Sequence, residues 1–456
     1  MKDFRVHHVP GILLCSAIAL LIPACSAMSP AGDISQTTAR ALIGTSTITV
    51  NSGTSTGAVM WGAIGFLYGL SEYPNSAGYR LNDTMITGLV HPQYTSQKAP
   101  WGAQHPDGDA LNVGVQASRT GMRGVGIYCQ DIYSAWPYQN NGIADYLAKL
   151  DTIAHNVVAD PNRSFYHYFI FNEPDLQWYS SSGSLFTKMC NDWLSCYNKI
   201  KSIDSTAKIA GPGFASYNST AYRSFFTFCK NNNCMPDIVV WHELQNSFFS
   251  GWYNNYNDFR AIESGLGIGR HEIYINEYAR SSGDLAVPGN LVQFITRFEN
   301  SKVYAGLAFW HGIGDLDDLV ANNNTAQNVP GSSLNQPDGA WYLYQWYGQM
   351  TGNTVAVTLP SQNGSLQALA SKSGNSVRVI YGGSLNSTDT FNAKLVVNGL
   401  SGTSAAYKVL GTDTTGRAVA PSPATILSGT AAVSGGSMTI TVSNCKALSA
   451  YELLVN

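Results

Sequence analysis

The chain predicts an α/β fold: a (β/α)8 TIM barrel followed by a C-terminal antiparallel β-sandwich. Three observations carry that expectation. Between residues 55 and 351, eight short apolar runs alternate with stretches of helical periodicity, the pattern of parallel strands joined by crossover helices. From residue 352 onward the helical spacing gives way to two-residue alternation punctuated by Gly, Ser, Thr and Asn. An open doubly wound sheet is the main rival, and it would more often show a Gly-rich phosphate turn after strand one; no GxGxxG or Walker pattern appears.

Taken in order, residues 1–27 read as a targeting segment. Lys2 and Arg5 precede an apolar run, Ile12 to Ile22, that is too short to span a bilayer comfortably. Ile22 to Cys25 resembles a bacterial lipobox, which would lipidate Cys25; cleavage after Ala27 is the alternative. A secreted protein or a periplasmic or outer-membrane lipoprotein is therefore expected, with membrane attachment only through that lipid. Residues 28–54 form an N-terminal segment in which Ser46–Ser52 (STITVNS) would add a strand to the sandwich. The eight barrel strands are expected within Ala58–Leu70, Met85–Pro92, Gly121–Cys129, His167–Pro174, Lys208–Tyr217, Asp237–Leu244, Glu272–Ala279 and Gly306–Gly312. Apolar residues at three-and-four spacing, such as Ile143, Leu147, Leu150 and Ile153, mark the helices between them, and Trp341–Met350 would close the ring. In residues 352–456 the runs Val377–Gly383, Phe391–Leu400, Ser437–Ser443 and Ala447–Val455 read as sandwich strands.

Composition narrows the class. Charged residues make up 12% of the chain and the net charge is −3, so no basic stripe exists to grip nucleic acid. Ten Trp and 25 Tyr on an amide-rich background suit an uncharged polyhydroxyl ligand. Without Cys15 and Cys25, six of the 8 Cys remain, an even set that an oxidising compartment could pair. Cys229 and Cys234 would close a small loop, and Cys190 with Cys196 is a further candidate local pair. Zinc fits poorly, because no CxxC or nearby His pattern accompanies them. No other transmembrane segment is visible.

Barrel chemistry sits where strands end at the C-terminal face. The chain has only eight Glu, and two of them end strands in matching contexts. Asn172-Glu173 (in FNEPD) ends the fourth strand, and Asn276-Glu277 (in INEYA) ends the seventh. Strands three βα units apart face one another across the barrel, so the two carboxylates would meet in the central cleft. Glycoside hydrolysis needs such a pair, one to protonate the leaving oxygen and one to attack the anomeric carbon, with a separation that sets the stereochemistry. A surface ion pair would explain one such Glu far more easily than both.

FNEPD followed by INEYA, on strands four and seven of an eight-strand barrel, resembles the clan A glycoside hydrolases, and most of all family 39, which pairs the barrel with a C-terminal β-sandwich. The resemblance implies a retaining hydrolase of a plant or microbial polysaccharide or oligosaccharide. It implies Glu173 as general acid/base, Glu277 as nucleophile and Asn172 as a contact to the sugar 2-hydroxyl. Glu173 must then arrive protonated and Glu277 ionised. His242 stands where the clan often places a His near the nucleophile, and Trp310 where it places an aromatic platform. Glu243 departs from the pattern, as either a third carboxylate in the cleft or a solvated one. Tyr278 is expected to hydrogen-bond Glu277. His91, Tyr128, Gln130, Asp131, Trp136 and Trp178 are candidate subsite residues, and Gln93–Asp109 would wall one side of the cleft. No metal and no cofactor is expected, since acid, nucleophile and water suffice. The competing reading, a non-catalytic surface glycan-binding lipoprotein on a degenerate barrel, predicts loss of one carboxylate, and both are present.

Overall fold

A computed structural model describes residues 42–70, 72, 81–104, 108–280, 283–310, 314–321, 335–383 and 389–456. The expected leader and its Cys25 lie outside them. The first strand, β1 (Leu42–Ala58), belongs to the second sheet and leads into the barrel. Barrel strands β2 (Gly65–Leu67), β3 (Tyr94–Lys98), β4 (Gly124–Tyr128), β5 (Tyr166–Phe169), β6 (Lys208–Phe214), β7 (Ile238–Glu243), β8 (Glu272–Tyr278) and β9 (Tyr304–Ala308) pair in parallel in chain order. Pairing of β2 with β9 closes the ring. The crossovers carry α1 (Asp83–Thr87), α2 (Ala110–Arg119), α3 (Ile143–Ala159), α4 (Gly183–Ile203), α5 (Ser219–Asn232), α6 (Phe248–Leu266) and α7 (Pro288–Ser301), and α8 (Gly339–Gly348) follows β9.

One strand lies elsewhere than its sequence suggests. Met85–Pro92 is not the second barrel strand: its first residues are the last of α1, and a turn follows. The strand is Tyr94–Lys98, whose Thr95, Ser96, Gln97 and Lys98 are all buried. Ser96 shares a hydrogen bond with the Tyr274 hydroxyl inside the barrel, and Gln97 donates to Thr95. A polar strand satisfied by its own neighbours leaves no apolar run to read.

The barrel is filled by aromatic side chains. Leu67, Tyr94, Tyr128, Phe169, Val240, Tyr274 and Tyr304 form the inner cluster, while a larger cluster lies between strands and helices. The second sheet comprises β1 with β10 (Asn353–Thr358), β11 (Gln367–Ser373), β12 (Ser376–Gly382), β13 (Thr390–Asn398), β14 (Ser404–Thr412), β15 (Ala424–Ala432), β16 (Ser437–Lys446) and β17 (Ala450–Val455). These run β15-β14-β17-β12-β11-β10-β1-β13-β16, and every pairing is antiparallel except β1 with β13. The sheet folds over so that its outer strands, β15 and β16, meet. It encloses Ile48, Val50, Val379, Leu395, Val409 and Leu453, a sandwich core. Six buried cysteines, Cys129, Cys190, Cys196, Cys229, Cys234 and Cys445, are unpaired thiols in this structure.

Candidate active site

Glu173 and Glu277 reach the same cleft by two different backbone devices. Four residues past the end of β5 the chain turns at Glu173, whose φ of +46° lies in the left-handed region. An L-residue enters that region at a cost of about 1–2 kcal/mol. Its amide is held by the Gly213 carbonyl at 2.8 Å, which pins the turn. Strain fixed by neighbours in this way is concentrated at working sites.

On β8 the device is a bulge. Tyr274 faces the barrel interior and Ile275 the helices, as alternation requires. The pairing with β9 then shifts register between Ile275 and Tyr278. Asn276 and Glu277 consequently both reach the Tyr128 hydroxyl inside the barrel. Tyr278 returns to the helix side, where it packs on Phe294 and Phe298 and bonds Ala63 O and the Tyr344 hydroxyl. Bulges near active sites re-aim side chains in this manner.

The two carboxylates are joined by His242. Its Nδ1 lies 3.1 Å from Glu173 Oε1 and 3.6 Å from Glu277 Oε2. One ligand atom from each of the three residues falls within a 4.8 Å set, so the trio is also the one cluster among the described residues able to hold a metal ion. Burial alone would lower the His242 pKa, but the Glu277 charge and then the Glu173 hydrogen bond outweigh it and raise the value to about 8. Glu277 Oε1 accepts from the Tyr128 hydroxyl at 3.0 Å and Oε2 from the Trp310 indole at 2.8 Å. Burial pushes the Glu277 pKa up; His242, Trp310 and Tyr128 pull it back, while Glu173 adds to the rise.

Behind Asn172 stands a buried hydrogen-bond network. The Asn172 amide donates to Gln130 Oε1 at 2.7 Å, and its Nδ2 donates to the Tyr138 hydroxyl at 3.2 Å. Tyr138 and Tyr68 each donate to one oxygen of Asp131, at 2.7 and 2.6 Å. Burial raises the Asp131 pKa to about 7 against the pull of those two phenols. His242 Nε2, Asn172 Oδ1 and Asn276 Oδ1 are buried without a partner. Buried polar atoms are rarely left so, and a polar ligand in the cleft would give these three a partner.

Of the residues singled out from sequence, Glu173, Glu277, Asn172, His242 and Trp310 converge here, with Tyr128, Gln130 and Asp131 supporting them. Three do not. His91 precedes β3, at the opposite end of the barrel, and stacks on Trp61 with ring centres 3.8 Å apart; the misplaced second strand was the source of that expectation. Tyr278 is turned away by the bulge. Trp178 is core: its indole donates to Tyr138 O and its ring packs on Tyr133 and Tyr146. Glu243 is neither in the cleft nor solvated. It is buried and accepts from the Trp241 indole at 2.7 Å, with its pKa raised by burial to about 7. Trp136 is exposed. Sequence reasoning passed over Tyr68 and Tyr138; Tyr68 directly follows β2, a strand-end position that would have marked it.

The same fold and sequence recur in known proteins. No family model matches the chain. A solved structure, N2152 from Neocallimastix frontalis, is 30% identical with a TM-score of 0.79, covering 90% of this chain and 99% of that one. The family 39 enzyme of Xanthomonas axonopodis pv. citri, 12% identical, shares the fold with a TM-score of 0.60 over 90% of this chain and 97% of its own. A 3-O-β-L-arabinopyranosyl-α-L-arabinofuranosidase of Bifidobacterium pseudocatenulatum is 30% identical over 427 residues, 82% of this chain. The chain belongs to the clan A glycoside hydrolases. Within that clan its barrel and sandwich are of the family 39 type. A second glycosidase relative, a 3-O-α-D-galactosyl-α-L-arabinofuranosidase of Bifidobacterium longum subsp. longum, is 30% identical over 443 residues, 84% of this chain. This clan A chain spans 42% and 37% of the lengths of those two relatives.

Proposed function

We propose that this chain is a retaining glycosidase that releases an α-L-arabinofuranosyl unit bearing a second sugar at O3. One observation carries the chemistry: a Glu173 and a Glu277 oxygen lie within 4.8 Å. That spacing suits the pair of a retaining enzyme, about 5–5.5 Å apart, and not the wider gap of about 6.5–9.5 Å that admits a water between the carboxyls. Glu173 gives its proton to the leaving oxygen as Glu277 attacks the anomeric carbon, forming a covalent glycosyl-enzyme. Glu173 then takes a proton from water, which displaces Glu277 and restores the original configuration. Tyr128 and Trp310 hold both Glu277 oxygens before the substrate arrives, so little reorganisation is needed at attack. Asn172, with its free Oδ1, is placed to accept from a sugar hydroxyl.

The sugar is inferred from the two Bifidobacterium relatives, whose names share α-L-arabinofuranose and differ in the unit on its O3. The lipobox-like Ile22 to Cys25 supports a secreted or lipid-anchored enzyme that meets its glycan outside the cell. The test is turnover of 4-nitrophenyl α-L-arabinofuranoside, bare or carrying β-L-arabinopyranose or α-D-galactose at O3, beside the β-D-xyloside. The first product anomer is read by proton NMR. The α-anomer should form first, from an O3-substituted arabinofuranoside. Glu173→Gln should lose about a hundred- to ten-thousandfold in kcat, because the attacking water then has no base, and Glu277→Gln should be inactive. The β-anomer first would overturn retention, full activity in either variant would overturn the residue roles, and turnover of the xyloside alone would overturn the sugar.

A further inference from the structure

Tyr128 has one hydroxyl proton and two polar neighbours, Glu277 Oε1 and the side-chain amide of Asn276. Which neighbour receives that proton decides whether Glu277 is supported or abandoned. An amide nitrogen has no acceptor capacity, so with Nδ2 facing Tyr128 the phenol oxygen must accept there. Its only proton is then committed to Glu277. The opposite orientation would let Asn276 Oδ1 compete with a carboxylate for the proton and would leave Glu277 without that donor.

We infer that Asn276 is a positioning residue that acts through Tyr128, directing the phenol's proton onto Glu277 and so keeping the nucleophile ionised. The inference rests on Glu277 being the nucleophile only for its kinetic consequence. The relay itself is a matter of geometry: three side chains, from β8 and β4, linked in one direction. Asn276 reaches Tyr128 because the β8 bulge places two consecutive side chains in the barrel interior. Both the Tyr128 and the Asn276 side chains are buried, so no water competes for the proton.

Other titratable groups act on Glu277 and must be held constant. They are His242 from β7, Glu173 from the turn after β5, Asp131 and Tyr138 from the segment after β4, and Tyr274 from β8 itself. Trp310 contributes a neutral donor. None of these groups hydrogen-bonds the Asn276 side chain, whose Nδ2 meets Tyr128 and whose Oδ1 has no partner, so a change at Asn276 reaches Glu277 through Tyr128.

The experiment is a carboxyl-carbon NMR titration of the full chain labelled at glutamate. With eight Glu the spectrum is small, and Glu277→Gln identifies the Glu277 signal. Asn276→Leu removes the amide without adding charge. It should raise the Glu277 midpoint by about 0.5–1 pH unit, three- to tenfold in proton affinity. Tyr128→Phe should raise it as well, and Asn276→Leu in that background should add nothing. Asn276→Ser, which cannot span the gap, should match Asn276→Leu and serves if the larger side chain does not fold. An unmoved midpoint in both Asn276 variants, or an equal further rise in the Tyr128→Phe background, overturns the relay. The acid limb of kcat/KM should move with the NMR midpoint. A midpoint that moves while the limb stays leaves the relay standing and removes Glu277 as nucleophile.

Discussion

At His242 one ring nitrogen faces two carboxylates that would otherwise repel across a cleft of low dielectric. Its folded pKa of about 8 exceeds the ordinary 6.5 because Glu277 and Glu173 outweigh burial. The sign follows. A base whose pKa is raised on folding adds stability in full below its unfolded value, and that stability fades as pH rises through the folded one. Relative to His242→Gln, the chain should therefore lose about 2 kcal/mol of stability between about pH 6.5 and above pH 8. Urea unfolding of the two proteins across that range reads the difference directly, and parallel curves would refute it. His242 was legible at a strand end. Its bridging of both carboxylates was not, because the register shift against β8 sets His242 opposite Glu277 only once the strands have paired.

Among the elements, the joint of β1, α7 and α8 turns on Glu299. Its fully buried carboxylate accepts from Met60 N and Trp61 N at 3.0 Å each, from the Tyr347 hydroxyl and from Lys302 Nζ. One side chain on α7 thus fixes the chain entering the barrel and the helix that closes it. Glu299→Gln turns one acceptor into a donor that faces N–H and O–H groups already pointing inward. Stability should drop by about 2–3 kcal/mol, the penalty of unsatisfied buried donors, as a lower urea midpoint with unchanged slope. Strands with apolar runs, such as Asp237–Leu244 and Glu272–Ala279, were legible because packing and sequence agree there. β3 was not, since Thr95, Ser96 and Gln97 are buried by hydrogen bonding and not by hydrophobicity. Apolar residues at Met85, Ile86 and Leu89 follow a helical turn that was read as a strand. Tyr278 failed for a related reason: a bulge changes which face a residue meets without changing its place in the sequence.

For the whole molecule, barrel and sandwich meet backbone to backbone. A Cβ on Gly339, the first residue of α8, would stand 1.8 Å from the Asp413 carbonyl oxygen; one on Gly289 of α7 would stand 2.6 Å from that of Ala447. Hydrogen bonds run through the same contact, from Gly289 N to Leu448 O at 2.8 Å and from Thr412 Oγ1 to Gly339 O at 2.8 Å. β1 adds a covalent tie, since its pairing partners are β10 and β13 while its C-terminal end enters the barrel. With helices pressed this closely onto the second sheet, neither part can open without exposing the other's apolar face. The chain should unfold in one calorimetric transition, its van't Hoff enthalpy equal to the measured one. Gly339→Ala should lower the midpoint of that single transition by the equivalent of about 1–3 kcal/mol, the usual cost of overpacking. It should leave kcat per folded molecule unchanged, because the close approach of Gly339 to Asp413 lies at the sandwich joint, whereas Glu173, His242 and Glu277 are held by one another, Tyr128 and Trp310. Two separated transitions in the parent, or a Gly339→Ala variant in which only part of the heat shifts, would mean that the barrel holds its carboxylates in place without the sandwich behind it.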